Sequence, residues 1–331
     1  MSIAHRAASA LSAAVALPPS LIGFDGFIDE IIDVVDRRRD MSPGGFESFQ
    51  TIAAFAARIG AAAGKSANLE LVVKETRWGG NGPLMAGALA SLGSLTTYIG
   101  AIGRDDDPRA VHPRFTPFAQ RCAEVFPIAP PAHTDALEFA DGKIMLGKPA
   151  NVQLPTWPHL LATLGSQMLV QKFTHARLIA MVNWTMMAGV EGIWEGLIHD
   201  VLPKLPPAPR RVFIDLADPA KRTDDDLRRA AAILRRMTTL IPVTLGLNLA
   251  EAERLASVFE VDALRASSKS LGAAVEAAAA QLRARLGLDT IVIHPRQGAG
   301  AAGASGSAWF DGPFTPTPRL STGAGDQIGR A

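Results

Sequence analysis

Apolar residues in this chain fall in short runs that end on glycine, asparagine or aspartate, separated by longer alanine- and leucine-rich stretches. The short runs, at residues 21–23, 95–99, 178–182, 212–216, 244–247 and 290–294, predict strands. The longer stretches, at 83–92, 189–202, 225–238, 250–259 and 271–286, predict helices. A strand that is apolar throughout has to be buried on both faces. Strand–helix alternation achieves this by covering a mostly parallel sheet on both sides. The predicted class is therefore α/β, and chemistry is expected beyond the carboxyl ends of the strands.

Two regions break the alternation. Residues 29–36 with 69–78 form one. Residues 134–147 form the other, where Asp141-Gly142 between strand-like flanks signals a hairpin. Together they predict a small sheet separate from the main one. The glycine-, alanine- and serine-rich residues 298–306 read as a loop, and the proline-rich run 203–209 as a connector.

Charge and cysteine content narrow the setting. The 331 residues carry 33 basic and 32 acidic side chains with no block of one sign, which points neither to nucleic acid nor to a membrane surface. Arg37-Arg38-Arg39 is short and flanked by Asp36 and Asp40. A single cysteine, Cys122, excludes an internal disulfide and suits a reducing, cytoplasmic setting. No apolar run is long enough to span a bilayer. The apolar stretch after His5 and Arg6 reads as a surface helix leading into the first strand, with a weak signal-peptide pattern as the alternative.

Five short motifs carry candidate chemistry, and each has a plainer reading. Ser321-Thr322-Gly323-Ala324-Gly325-Asp326 has small residues that let backbone N–H groups close on an anion, followed by a carboxylate able to take a proton. The same run also serves as a glycine-rich turn before a helix. Asn248-Leu249-Ala250-Glu251 is a helix capping box, and its glutamate could also organise water around Mg²⁺. Gly79-Gly80-Asn81-Gly82-Pro83 leaves room for a ligand against backbone and offers an amide to hydroxyls, or is simply a capped turn. Gly23-Phe24-Asp25-Gly26-Phe27-Ile28-Asp29 sends two carboxylates off the end of the first strand, where they suit vicinal hydroxyls, or makes an Asp-Gly turn. Asp215-Leu216-Ala217-Asp218-Pro219-Ala220-Lys221-Arg222 either positions a nucleotide or Mg²⁺ or is a plain connection. Gly60-Ala61-Ala62-Ala63-Gly64-Lys65-Ser66 falls one residue short of a P-loop and follows a helical stretch, so it is set aside.

In this order and at these separations, the motifs resemble the ribokinase-like (PfkB) carbohydrate kinase family over nearly the whole chain, from Gly23 to Asp326. The resemblance implies a Rossmann-like three-layer α/β sandwich with a small β-sheet lid. The chain would be a single domain over 1–331, with lid segments near 29–36, 69–78 and 134–147. It implies an ATP-dependent kinase that moves the γ-phosphoryl group to a hydroxyl of a sugar or sugar-like molecule. Asp326 would be the general base, and the N–H groups of Gly323, Ala324 and Gly325 the anion hole. Asp25, Asp29, Gly79, Gly80 and Asn81 would hold the acceptor. Asn248, Glu251 and Thr322 would serve ATP and Mg²⁺, with Glu251 acting through metal-bound water. A homodimer through the lid is expected by analogy. The alternatives are a nucleoside kinase of the same fold and a truncated, non-catalytic homologue that binds sugar or nucleoside. Three departures bear on these expectations. Leu320 stands where the family has an aspartate linked to a monovalent cation. His294-Pro295-Arg296 replaces a Thr-x-Gly stretch. Only residues 327–331 follow Asp326, where the family continues with a long helix.

Overall fold

The structure, a computed structural model, describes residues 17–265 and 270–312. Along the chain, β1 (Ser20–Phe24) leads into the long β2 (Phe27–Arg38), then β3 (Phe46–Ser48), α1 (Ile52–Gly60), β4 (Leu71–Gly79), α2 (Asn81–Ser91) and β5 (Thr96–Gly100). Next come β6 (Glu124–Pro127), β7 (Ala132–Phe139), β8 (Gly142–Lys148), α3 (Trp157–Leu164), α4 (Ser166–His175), β9 (Leu178–Met181), α5 (Val190–Gly196) and β10 (Arg211–Asp215). The series closes with α6 (Asp224–Thr238), β11 (Val243–Leu247), α7 (Leu249–Val258), α8 (Leu271–Leu286), β12 (Thr290–Ile293), β13 (Gly298–Gly303) and β14 (Gly306–Asp311).

Nine strands form the main sheet in the order β14-β13-β12-β11-β10-β9-β1-β5-β6. From β12 to β6 the neighbours are parallel, and β13 and β14 are antiparallel additions at one edge. The apolar runs behave as expected for strands buried on both faces. In β1, Leu21 packs into one core and Ile22 into the other. In β5, Tyr98 and Ile99 divide the same way, and in β9 Ile179 and Ala180 do. The mixed α/β class with a mostly parallel main sheet is thus as the sequence predicted.

Helix ends follow local chemistry. Thr223 and Asp226 form a reciprocal capping box at the start of α6, with three aspartates in its first turn and Arg235 and Arg236 in its last. Ser270 caps α8, and Gly287 closes it in the left-handed conformation. The stretch predicted as one helix over 189–202 is a correction: α5 stops at Gly196 and widens into a π turn at Leu197–Val201. Gly196 lies against the Trp157 ring, and the widened turn carries Asp200, whose Oδ2 accepts the indole N–H of Trp157 at 3.0 Å.

A second correction concerns residues 298–306. They form β13 and the start of β14 rather than a loop. The small residues reflect packing, because α8 lies on this hairpin. A Cβ on Gly300 would sit 2.8 Å from Val275 Cγ1.

The second sheet has the order β3-β2-β7-β8, with β4 also pairing with β2. Ile32, Val34, Phe49, Phe55 and Leu137 form its own buried cluster, to which α1 contributes Phe55. Residues of β2, β7 and β8 on the opposite side border a cavity shared with the ends of the main-sheet strands. The near P-loop at 60–66 begins at the end of α1, with Lys65 exposed. Residues 1–16, for which a surface helix was expected, lie outside the described residues.

Candidate active site

A cavity of about 460 Å³ opens between the small sheet and the carboxyl ends of β1, β9 and β10. The small sheet contributes Phe27, Asp29, Thr134, Met145 and Gly147. Gly80, Asn81 and Leu84 come from the start of α2, and Asn183, Met186, Ala217, Asp218 and Lys221 from loops after β9 and β10. This is the edge at which open parallel sheets bind ligands. Carboxylate, amide and hydroxyl groups alternate with Phe27, Leu84, Met145 and Met186. The walls therefore offer hydrogen bonds to a ligand's edge and apolar contact to its face.

Of the expected acceptor-binding residues, Asp29, Gly80 and Asn81 line this cavity. Asp25 and Gly79 do not, yet both shape it. Asp25 is 0% exposed, just past β1. Its Oδ2 accepts the Asn81 N–H at 2.9 Å and the Asn183 side-chain amide at 2.7 Å, and its Oδ1 accepts the Gly82 N–H at 2.8 Å. The carboxylate thus satisfies the first free N–H groups of α2. Burial pushes the Asp25 carboxyl up to about 6, against the lowering effect of those three hydrogen bonds. Gly82 is needed for this contact, since a Cβ there would lie 2.6 Å from Asp25 Oδ1. Gly79 makes the matching space for Asp29, whose Oδ2 would be 2.1 Å from a Cβ at that position. Burial raises the Asp29 carboxyl, opposed by a hydrogen bond from Thr134 and by the charges of Lys143 and Arg77.

Asn183 escaped sequence reasoning. It is 3% exposed and adopts a positive φ of 66°. Its amide nitrogen donates to Asp25, while Oδ1 is buried with no hydrogen-bond partner among the described residues. The available signal was its place, the polar residue directly after the apolar run 178–182. Thr134 and Met186 were likewise not singled out as site residues, whereas Ala217, Asp218 and Lys221 belong to the motif over 215–222, which reads either as positioning a nucleotide or Mg²⁺ or as a plain connection.

Asn248 and Glu251 occupy a separate corner, at the junction of β11 and α7. The Asn248 side chain accepts the Glu251 N–H at 3.0 Å, and Glu251 Oε2 accepts the Asn248 N–H at 2.8 Å. Glu251 Oε1 also accepts the Asp218 N–H at 3.0 Å. The plain capping box is therefore present, and it ties the β10 loop to α7. Burial raises the Glu251 carboxyl, backbone hydrogen bonds lower it, and the Asp218 charge raises it further. Ala217 and Asp218 both have positive φ, 57° and 55°. Among the described residues, no group of three or more His, Cys, Asp or Glu could hold a metal ion, and no helix is long and apolar enough to cross a membrane. Thr322, Gly323, Ala324, Gly325 and Asp326 lie outside the described residues.

Comparison with known proteins agrees with this architecture. The sequence profile of the prokaryotic ketohexokinase family matches residues 2–330. The ketohexokinase of Haloferax volcanii is 27% identical over 310 residues, which are 93% of this chain and 78% of that protein. Among solved structures, a phosphofructokinase-2 variant from Escherichia coli aligns with a TM-score of 0.60 and 15% identity, covering 95% of this chain and 84% of its own. Arabidopsis thaliana ribokinase complexed with ribose and ATP aligns with a TM-score of 0.57 and 15% identity, over the same shares of the two chains. At these identities the structures show a common fold, which is the ribokinase fold expected from the motifs.

Proposed function

The chain belongs to the prokaryotic ketohexokinase family, within the ribokinase-like fold, and on that premise we propose that it transfers the γ-phosphoryl group of ATP to a hydroxyl of a ketohexose. The observation that carries this reading is the cavity at the strand ends, walled by Asp29, Asn81, Asn183 and Thr134 and faced by apolar side chains. Such a lining suits a compact neutral polyol: the polar groups meet hydroxyls and the apolar ones meet C–H faces. Asp29, Gly80 and Asn81 hold the acceptor. Asp25 is a positioning residue, fixing the start of α2 and the Asn183 amide. The small sheet serves as the lid that excludes water, so that ATP is not merely hydrolysed.

Asp326 acts as the base on the acceptor hydroxyl, and the Gly323, Ala324 and Gly325 N–H groups receive the phosphoryl charge. This assignment rests on the motif and the family. Mg²⁺ supplies charge neutralisation of the phosphates when bound. Each Glu251 oxygen already accepts one backbone N–H, so its remaining lone pairs suit a hydrogen bond from metal-bound water.

The test is ADP release measured over a panel of ketohexoses, aldohexoses and nucleosides. Turnover is expected with a ketohexose. Its absence with every sugar overturns the proposal, and turnover with nucleosides alone reassigns the acceptor. A further prediction follows from Gly79. Gly79→Ala places a Cβ where Asp29 Oδ2 lies, so the carboxylate has to turn away or β2 and β4 have to part. The acceptor KM is expected to rise roughly ten- to a hundredfold, since displacements of about 1 Å have effects of that order. A KM equal to that of the parent chain would remove Asp29 from acceptor binding.

A further inference from the structure

Gly147 stands inside β8, where neither backbone conformation nor packing calls for a glycine. Its φ is not in the left-handed region. A Cβ at this position would meet only Met186 Cε among the described residues, at 3.7 Å, which is ordinary contact. Gly79 and Gly82 differ: a Cβ there would come within 2.1 Å and 2.6 Å of a carboxylate oxygen. A glycine inside a strand weakens it and offers no side chain to pack, so its use needs a reason. The register supplies one. Gly147 pairs with Thr134 on β7, and Thr134 pairs with Asp29 on β2. The three residues share one face of the small sheet, and all three line the acceptor cavity. What glycine secures at 147 is room in that cavity.

Met186 bounds that room from the loop after β9 and also lines the cavity. Its backbone is tied to the small sheet. Gln153, on a 3₁₀ turn at Asn151–Gln153, donates its side-chain amide to the Met186 carbonyl at 2.7 Å and accepts the Ala188 N–H at 2.8 Å. The same Nε2 donates to the Pro149 carbonyl, just past β8, at 3.1 Å. Asn151 donates to the Pro131 carbonyl, just before β7, at 2.8 Å. Val152 between them is 0% exposed and sits in the main core. One anchored turn thus fixes both legs of the β7–β8 hairpin together with the backbone of Met186. The separation of Gly147 and Met186 is set by this frame. Across it, the Met186 thioether offers a hydroxyl only a weak acceptor and acts as an apolar stop.

We propose that Met186 and Gly147 are specificity-determining residues that set the length of the acceptor: Met186 stops its chain, and the bare Gly147 leaves space for its last carbon. The inference rests on the ketose reading of this cavity and names which ketoses fit. Its test uses sugar binding without ATP, so its failure is distinct from a failure of phosphoryl transfer in the ADP-release assay. A ketohexose (fructose) and a ketoheptose (sedoheptulose) are titrated calorimetrically into the parent chain, Met186→Ala and Gly147→Val, with Leu146→Ala as control. Leu146 is 48% exposed and alternates to the other face of β8. Thermal melts confirm that each variant is folded. The parent is expected to prefer the hexose. Met186→Ala should shift the ratio of the two affinities about tenfold toward the heptose, since one carbon more or less in a pocket has effects of that order. Gly147→Val should weaken the hexose about tenfold and leave the heptose weaker still, and Leu146→Ala should match the parent. A purely structural role for Met186 would weaken both sugars equally and leave the ratio in place. An unchanged ratio in folded Met186→Ala, parent-like hexose binding by folded Gly147→Val, or a parent that binds neither sugar overturns the proposal.

Discussion

Asp326→Asn is expected to lower kcat by about 100- to 10 000-fold while leaving acceptor affinity within a few-fold of the parent value. An alcohol is a poor nucleophile until its proton begins to leave. A carboxylate beside the attacking oxygen can accept that proton, whereas an amide of the same shape cannot. The substitution therefore removes the base without removing bulk from the site. The run Ser321-Thr322-Gly323-Ala324-Gly325-Asp326 gives the chemical reason for placing the base here. Its small residues can bring N–H groups close to a transferring phosphoryl group, so proton acceptance and charge stabilisation would be neighbours in the chain. Steady-state ADP release gives kcat, and calorimetric titration with the sugar gives affinity. Unchanged turnover would remove Asp326 from the mechanism. Loss of turnover and binding together would instead mark it as a residue that shapes the site.

The main sheet was legible because burial on both faces writes itself locally. The run 178–182 is apolar at every position and 244–247 nearly so, and they stop at Asn183 and Asn248, where the chain reaches the ligand-binding edge. Composition misled at residues 298–306, where glycine and alanine reflect the close approach of α8 rather than a turn. The same contrast holds in the site. Asp29, Gly80 and Asn81 stand in compact motifs, and all three line the cavity. Asn183 owes its place to Asp25, 158 positions earlier. That relation leaves no periodicity or spacing, because it arises only once the parallel strands bring their carboxyl ends together. Asp25 is the reverse case: the sequence flagged it as a ligand contact, and the fold turns it inward as an anchor.

That anchor supports the second large effect: Asp25→Ala is expected to destabilise the fold by about 3 kcal/mol and to abolish acceptor binding. The substitution leaves three donors without an acceptor: the Asn81 and Gly82 N–H groups and the Asn183 amide. Each unsatisfied buried donor costs roughly 1–3 kcal/mol. Against this stands the relief of a buried charge. A carboxyl raised from 3.8 to about 6 carries an ionisation penalty of about 3 kcal/mol at neutral pH. The donors outweigh it, so the net effect is destabilising. The two terms separate with pH. Because the folded carboxyl binds its proton more tightly than the unfolded one, its stabilising contribution is complete below about pH 3.8 and is lost as the pH rises through about 6. Asp25→Asn has no proton to bind there. Relative to Asp25→Asn, the parent chain should therefore gain about 1 kcal/mol of stability when urea melts are moved from pH 7.5 to pH 5. A pH-independent difference between the two would show that Asp25 ionises normally. An Asp25→Ala melt close to the parent's would show that α2 does not depend on this carboxylate for its start, and the acceptor cavity would then need a different explanation for the placement of Asn81 and Asn183.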